Sequence, residues 1–401
     1  MKTIGIIIER QRAYGRRLCE GIVRFARERK DWSLRIVEFS EIRRNPRLRS
    51  HDGFIARVMN DEIADILANT GKPVVDVFLE KPIAGFAGVD QNARIVGQMA
   101  ARHFIEHRFT NFAFCGYDGR RYSDDRRNAF VRCLELNHYE CECYRTPSAA
   151  LKDFEESVVM REHFGIPSDA KSLSRWIRRL PKPVAVFCAH DMRAYQLSEI
   201  CRAEGICVPD DVAILGCDDD ELVCQFTDPP ISSIDQNAVG IGYAAAHALQ
   251  RMFDNPSVLP PIAKIKPLQL IERESTRTYP LSPKWLSDAL VFIRSNLAQG
   301  ISAADVYTHV GKSHTLVDAA FRRQLGTSVQ KEISRIRLDE ARRLVISTST
   351  PLQDIARHCG FSSLQYFSTS FVKTFGKSPS LWRCAGDGDR LVLKHLIGRR
   401  S

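Results

Sequence analysis

Short β-branched runs alternate with amphipathic stretches through the first two thirds of this 401-residue chain. Strands are predicted at 3–8, 34–37, 53–56, 74–77, 112–115, 184–188 and 213–215. Apolar positions recur at helical spacing over 14–29, 61–69, 92–107, 124–136, 173–179, 192–204 and 238–253. This is the alternation of a parallel sheet covered by helices on both faces. So many alternating strands exceed one compact sheet, and two similar α/β lobes are expected. Beyond the proline-flanked stretch 280–283 the pattern changes. Only helical periodicity remains, over 284–297, 303–309, 313–325, 329–346, 352–358, 363–375 and 380–382.

Within that helical third, one pattern occurs twice. Val310-Gly311-Lys312-Ser313 leads to Phe321 and Gly326, and Cys359-Gly360-Phe361-Ser362 leads to Phe371 and Gly376. A glycine after a short helix supplies a left-handed residue for a tight turn. A serine just beyond it can cap the next helix. Two helix-turn-helix units follow, with 329–346 as a rigid helix between them. Val310, Val317, Phe321, Ile355, Phe367 and Phe371 are expected in their cores. From Lys284 onward there are 18 Lys and Arg against 9 Asp and Glu, so nearly all of the chain's net charge of +10 lies here. A basic helical module beside a near-neutral one suits a phosphate-binding partner such as DNA.

The remaining composition mainly excludes. No signal-peptide pattern precedes the first strand, and no apolar run approaches the ~18 residues of a membrane span. The 12 cysteines read as reduced thiols of a cytoplasmic protein, packed as small apolar residues. Cys141-Glu142-Cys143 lacks zinc-finger spacing. His103-Phe104-Ile105-Glu106-His107 has a zinc-binding spacing but no evident further ligand. Gly240-Ile241-Gly242-Tyr243-Ala244-Ala245 resembles a dinucleotide loop but follows no strand, and it reads as a close helix contact. Asp218-Asp219-Asp220-Glu221 lacks the spacing and glycine of a calcium loop. No metal, cofactor or catalytic residue is expected.

In open α/β folds ligands bind beyond the carboxyl ends of the strands. Glu9, Asp90, Tyr117, Asp191 and Asp218 stand at such positions, and Asp219 and Asp220 read as solvated or capping. Several segments of residues 3–277 carry a resemblance to the sugar-sensing core of LacI-type repressors, which is related to periplasmic sugar-binding proteins. They are Gly88-Val89-Asp90-Gln91-Asn92, Arg126-Arg127-Asn128-Ala129-Phe130, Ala189-His190-Asp191-Met192-Arg193-Ala194, Val212 to Asp219, Ile231 to Gln236 and Leu270 to Thr276. The resemblance implies a sensing domain over 1–279. It also implies that Asp90, Arg126, Asp191, Asp218 and Gln236 bond the hydroxyls of a small neutral sugar. Carboxylates accept from paired hydroxyls, and Arg and amide groups hold them in fixed planes. Tyr14 and Tyr122 are candidates for the aromatic cover of the ring.

Residues 284–384, after a linker at 280–283, resemble the AraC-type DNA-binding domain, closing on Ser378-Pro379-Ser380-Leu381-Trp382-Arg383. Recognition helices place their N-terminal residues in the major groove. In the first unit these are Ser313, His314, Thr315 and Asp318, with Arg322 and Arg323 towards phosphate. In the second they are Ser363, Leu364, Gln365, Tyr366, Ser368 and Thr369, with Lys373. Ala319 and Thr369 stand where many such domains carry a basic residue. A basic tail, 385–401, follows. The combined resemblance implies a homodimeric, sugar-responsive activator that binds double-stranded operator DNA, with xylose or a related pentose as effector and RNA polymerase as a possible partner. A sugar-modifying enzyme fused to a DNA-binding domain, with Asp191 and Asp218 as an acid/base pair, remains an alternative. So does an architectural DNA-binding protein with no ligand.

Overall fold

The computed structural model describes residues 1–39, 42, 48–147, 167–348 and 350–384; the basic tail 385–401 lies outside them. The chain divides into two units. The first comprises Met1–Phe104 and Thr110–Thr276; the second comprises Ile105–Phe109 and the residues from Arg277 onward.

Among its described residues the first unit contains two six-stranded sheets. One is built from β1 (Lys2–Ile7), β2 (Trp32–Ile36), β3 (Gly53–Ala56), β4 (Val74–Asp76), β5 (Ala87–Gln91) and β11 (Ala263–Ile265), in the order β11-β5-β4-β3-β1-β2. The other is built from β6 (Phe112–Cys115), β7 (Cys141–Cys143), β8 (Val184–Cys188), β9 (Val212–Cys217), β10 (Ser232–Asp235) and β12 (Gln269–Ile271), in the order β12-β10-β9-β8-β6-β7. Every pairing is parallel except β10 with β12. Central strands such as β3, β8 and β9 are buried throughout. That explains their unbroken apolar runs, because both faces are covered. The two α/β lobes expected from the alternation are therefore present. Strands β5, β7, β10, β11 and β12 have no counterpart in the apolar runs. They are short, and they carry Asp, Gln, Glu or Lys among their few residues.

Two long helices of the first unit, Ala13–Arg29 and Ala238–Asp254, pack backbone to backbone. A Cβ on Gly21 would lie 2.0 Å from the Val239 carbonyl oxygen, and one on Gly242 2.0 Å from that of Leu18. Gly242 thus serves the close contact that its sequence setting suggested.

The second unit holds seven α-helices among its described residues from Arg277 onward: Lys284–Ser295, Ala303–Val310, His314–Leu325, Val329–Ser347, Leu352–His358, Leu364–Phe375 and Pro379–Cys384. The turn glycines Gly311 and Gly360 have φ of 61° and 73°. Ser313 Oγ accepts from Leu316 N at 3.4 Å, and Ser363 Oγ from Tyr366 N at 3.1 Å. The first turn uses the glycine and serine as the sequence implies; in the second the cap is Ser363, one residue beyond the Ser362 that the repeat aligns with Ser313. Val317, Phe321, Ile355, Phe367 and Phe371 are fully buried, and Val310 is half-buried against the core that holds Val317 and Phe321. Helix Val329–Ser347 serves two cores in succession. Val329, Ile333 and Ile336 pack with the first helix-turn-helix unit, and Leu338, Ala341 and Val345 with the second. Among the described residues no helix is long and apolar enough to cross a membrane.

The two turn glycines differ in surroundings. Nothing lies within 4 Å of a Cβ placed on Gly311, whereas one on Gly360 would meet the Leu297 carbonyl oxygen at 2.1 Å. Gly311→Ala is expected to cost about 1 kcal/mol, the left-handed backbone penalty. Gly360→Ala should cost clearly more, because a backbone carbonyl must also move. Urea unfolding of the two variants checks the order.

Candidate functional site: a buried polar cluster and two exposed helices

Parallel strands bring their carboxyl ends to one edge, so residues far apart in sequence meet there. Arg126, on helix Arg121–Glu135, joins four of these ends and is 3% exposed. Its Nε and Nη2 donate to Gln91 Oε1 at the end of β5, at 3.1 and 2.9 Å. Nη2 also donates to Gln236 Oε1 beyond β10 at 2.8 Å and lies 3.4 Å from Asp218 Oδ1 beyond β9. Nη1 donates to the Ala189 carbonyl oxygen beyond β8. Gln236 Nε2 closes the ring by donating to Asp218 Oδ1.

Asp218 and Asp219 adopt φ of 117° and 50°, uncommon for non-glycine residues and a form of strain that gathers at functional sites. Burial pushes the Asp218 carboxyl up to about 6, with Arg126, then Arg12 and Arg57, drawing it back down. Tyr14 and Tyr122 face the same cluster. Burial raises both phenols, aided for Tyr14 by the charges of Asp90 and Asp218 and for Tyr122 by Tyr117. Arg57 pairs with Glu9 and lies over the Phe78 and Tyr14 rings, at 4.6 and 5.5 Å. Asp90 receives Lys264 Nζ at 2.7 Å and Arg121 Nη2 at 3.4 Å. The seven residues proposed from sequence are thus not equivalent. Arg126, Asp218 and Gln236 are mutually bonded, Tyr14 and Tyr122 flank them, and Asp90 stands in its own ion pairs.

Asp191 differs most from expectation. Its Oδ1 accepts from Ser233 Oγ at 2.5 Å and its Oδ2 from Asp220 N at 2.7 Å, so both oxygens are engaged by the protein. Burial, then the Asp218 charge, pushes its carboxyl up to about 8, while the Ser233 and Asp220 bonds pull it down. The preceding residue, His190, is buried too, but its ring lies against the tyrosines. Its ring stacks on Tyr117 at 5.6 Å and 21° and lies 6.0 Å from Tyr122. Nδ1 accepts from Arg193 N at 3.1 Å, capping helix Asp191–Ala203. Burial, then Arg12, Arg126 and Arg193, holds the imidazole well below its usual pKa, so it is neutral with Nε2 carrying the proton. His190 and Gln91 were missed in the sequence. The strand alternation that puts Asp90 and Gln91 on opposite sides was the available signal.

Asp219 and Asp220 are buried rather than solvated, and the capping reading holds for Asp220, which meets the first amide of helix Ala13–Arg29. Asp219 pairs with Arg273 at 2.7 Å and Arg17 at 3.3 Å, and Asp220 accepts from Ala13 N at 2.9 Å. The zinc-like histidines also have protein neighbours. His103 Nε2 lies 2.9 Å from Thr276 Oγ1, and the His107 ring stacks on Tyr279.

On the second unit, His314, Thr315, Arg322 and Arg323 of the first recognition helix are exposed, as are Leu364, Gln365 and Thr369 of the second; Ser368 is half-buried. Ser313 and Ser363 are spent as helix caps. Asp318 turns inward, accepting from Val329 N at 3.2 Å, and so caps the next helix. Tyr366 and Lys373 lie on the flank that faces helix Val329–Ser347, lining a cleft with Arg337.

Comparison with known proteins agrees with this two-part design. A family model for a periplasmic binding protein-like domain matches residues 101–276, and one for a helix-turn-helix domain matches residues 307–385. The xylose operon regulatory protein of Escherichia coli (strain K12) is 26% identical over 392 residues, 95% of this chain and 96% of that protein. The HTH-type transcriptional activator AarP of Providencia stuartii is 33% identical over 114 residues, 28% of this chain and 84% of AarP. The solved structure of the xylose-binding transcription activator xylR superposes with a TM-score of 0.60 at 26% identity, covering 96% of this chain and 98% of that one.

Removing one partner of a buried ionic cluster leaves the others uncompensated. Arg126→Ala should therefore cost the first unit about 3 kcal/mol, the low end for such a loss, because the Asp218 side chain is 23% exposed. Arg126→Lys keeps the charge but not the fork, and it should fall in between. Denaturant unfolding followed by tryptophan fluorescence provides the measurement.

Proposed function

From the premise that this chain belongs to the transcription regulators joining a periplasmic-binding-protein-like sensor to a C-terminal AraC-type helix-turn-helix domain, we propose that its effector is a neutral monosaccharide, a pentose such as xylose. The chain is a sugar-responsive DNA-binding regulator and not an enzyme. The observation that carries the effector reading is the Arg126–Asp218–Gln236 cluster at the strand ends. Sugar hydroxyls are both donors and acceptors. Asp218 accepts, Gln236 and Arg126 hold fixed planes, and the Tyr14 and Tyr122 rings offer apolar faces to the sugar ring. Asp90 is kept in the set, with its ion pairs to Lys264 and Arg121 orienting it. The role first given to Asp191 passes to His190, whose Nε2–H donates. Asp191 instead holds Ser233 and Asp220 beneath the site.

On the DNA side, His314, Thr315, Leu364, Gln365, Ser368 and Thr369 read base edges, while Arg322, Arg323 and Lys373 contact phosphates. Gln365 suits an adenine edge, and Leu364 or Thr369 a thymine methyl. The regulator acts in the cytoplasm as a homodimer and an activator, with RNA polymerase as its partner at the promoter.

Calorimetry against a panel of pentoses and hexoses tests the effector class. Asp218→Ala should lose about 1.5–3 kcal/mol of sugar binding, the range for a hydrogen bond to a charged group; unchanged affinity would remove Asp218 from the site. The ionised carboxylate is the acceptor, and burial pushes the Asp218 carboxyl up to about 6. Sugar affinity should therefore weaken as pH falls through about 6, and Asp218→Asn should flatten that dependence.

A further inference from the structure

A cleft in the second unit lies between helix Val329–Ser347 and the flank of the second recognition helix. Ser334, Arg337 and Leu338 form one wall, and Tyr366, Ser370 and Lys373 line the other. The wall residues follow helical spacing on both sides, so each helix turns one stripe into the cleft. Arg337 is the unusual member. Its Nη2 donates to the Ile301 carbonyl oxygen at 2.8 Å, which anchors the guanidinium. Its Nε is buried and has no acceptor among the described residues. Burial lowers its pKa, as expected where a cation lacks nearby anions. A second cation, Lys373, stands opposite and is exposed. Arg337 and Lys373 both line the cleft together with Tyr366, and no carboxylate is among the lining residues. An oxyanion fits that chemistry.

We infer that the cleft seats one phosphate of the DNA backbone, shared by Arg337 and Lys373. This rests on the reading of the second unit as a DNA-binding domain. The position favours a backbone phosphate over a free anion. Lys373 and Tyr366 belong to the same helix as Leu364, Gln365 and Thr369, on the flank beside their exposed face. When a recognition helix enters a major groove, its flanks meet the bordering phosphates. Arg337 comes from the helix that joins the two helix-turn-helix units, and its anchor, Ile301, lies just before the first of them. A phosphate held here registers the second recognition helix on the duplex and carries no base information.

Anisotropy titrations of the full chain with a random-sequence duplex, over a range of salt, test this. Phosphate contacts set non-specific affinity, and each contributes about 0.9 to the slope of log affinity against log salt. Arg337→Gln and Lys373→Gln should each reduce the slope by up to about one. The double variant should reduce it by about one as well, because a single phosphate is shared. Lys171→Gln, an exposed position of the first unit, is the control and should leave it unchanged. Lys373→Gln removes only an exposed side chain, so it remains informative if Arg337→Gln folds poorly. Unchanged slopes in both single variants, beside a steep wild-type slope, would overturn the seat while leaving DNA binding intact. A double variant losing about two would indicate separate phosphates and overturn the sharing. A wild-type chain with no salt-dependent duplex binding would remove this inference together with the DNA-binding reading beneath it. Thermal stabilisation by inorganic phosphate that the variants lose, without any change in slope, would reassign the cleft to a small anion.

Discussion

A guanidinium group carries five N–H donors and a charge that cannot be titrated away, so withdrawing it from water obliges the fold to supply acceptors. At Arg126 they come from the ends of four strands, through Gln91, the Ala189 carbonyl, Asp218 and Gln236. That requirement orients the rest of the cluster. It opposes the upward push of burial on the Asp218 carboxyl and keeps the Gln236 amide aligned with it. Arg193 repeats the rule more deeply. It is fully buried against Asp169, with bonds of 3.1 and 2.6 Å, beneath the Tyr117 and Tyr144 rings. Since the Arg193 amide is also the donor that His190 caps, this buried pair helps set the angle at which the His190 ring meets Tyr117.

The second unit meets a different constraint, that of keeping two recognition helices in fixed register. Helix Val329–Ser347 is about 28 Å long at 1.5 Å per residue, and its buried positions divide between two cores. Rigidity does not rest on the helix alone. Gly360 sits so close to the Leu297 carbonyl that no side chain fits, and Arg337 reaches back to Ile301. Both contacts tie the second helix-turn-helix unit, or the helix leading to it, to the segment before the first. The glycines look interchangeable in sequence, yet only Gly360 carries this second duty.

Local pattern alone determined much of this protein. Unbroken β-branched runs marked the central strands because those strands are covered on both faces. The Gly311 and Gly360 turns and the Ser313 cap were legible because left-handed backbone and orphan amides demand particular residues at particular offsets, whereas the second cap fell to Ser363 and not to Ser362. The short strands β5, β7 and β10 to β12 were not, since three to five residues bearing polar groups give no usable period.

Tertiary structure decided which partners each buried polar residue meets. Asp191 and His190 are neighbours, and only the positions of Ser233 and Asp220 turn the carboxylate inward and leave the imidazole beside the tyrosines. Asp219 and Asp220 read as solvated or capping, and only the fold gives the first to Arg273 and Arg17 and the second to the Ala13 amide. Asp318 belonged on paper to a reading surface, but the amide of Val329 claims it. The physical reason is common to all four. A helix or strand is specified by neighbours in sequence, whereas a buried polar group answers to whichever donors and acceptors the fold brings within about 3 Å, and those come from anywhere in the chain.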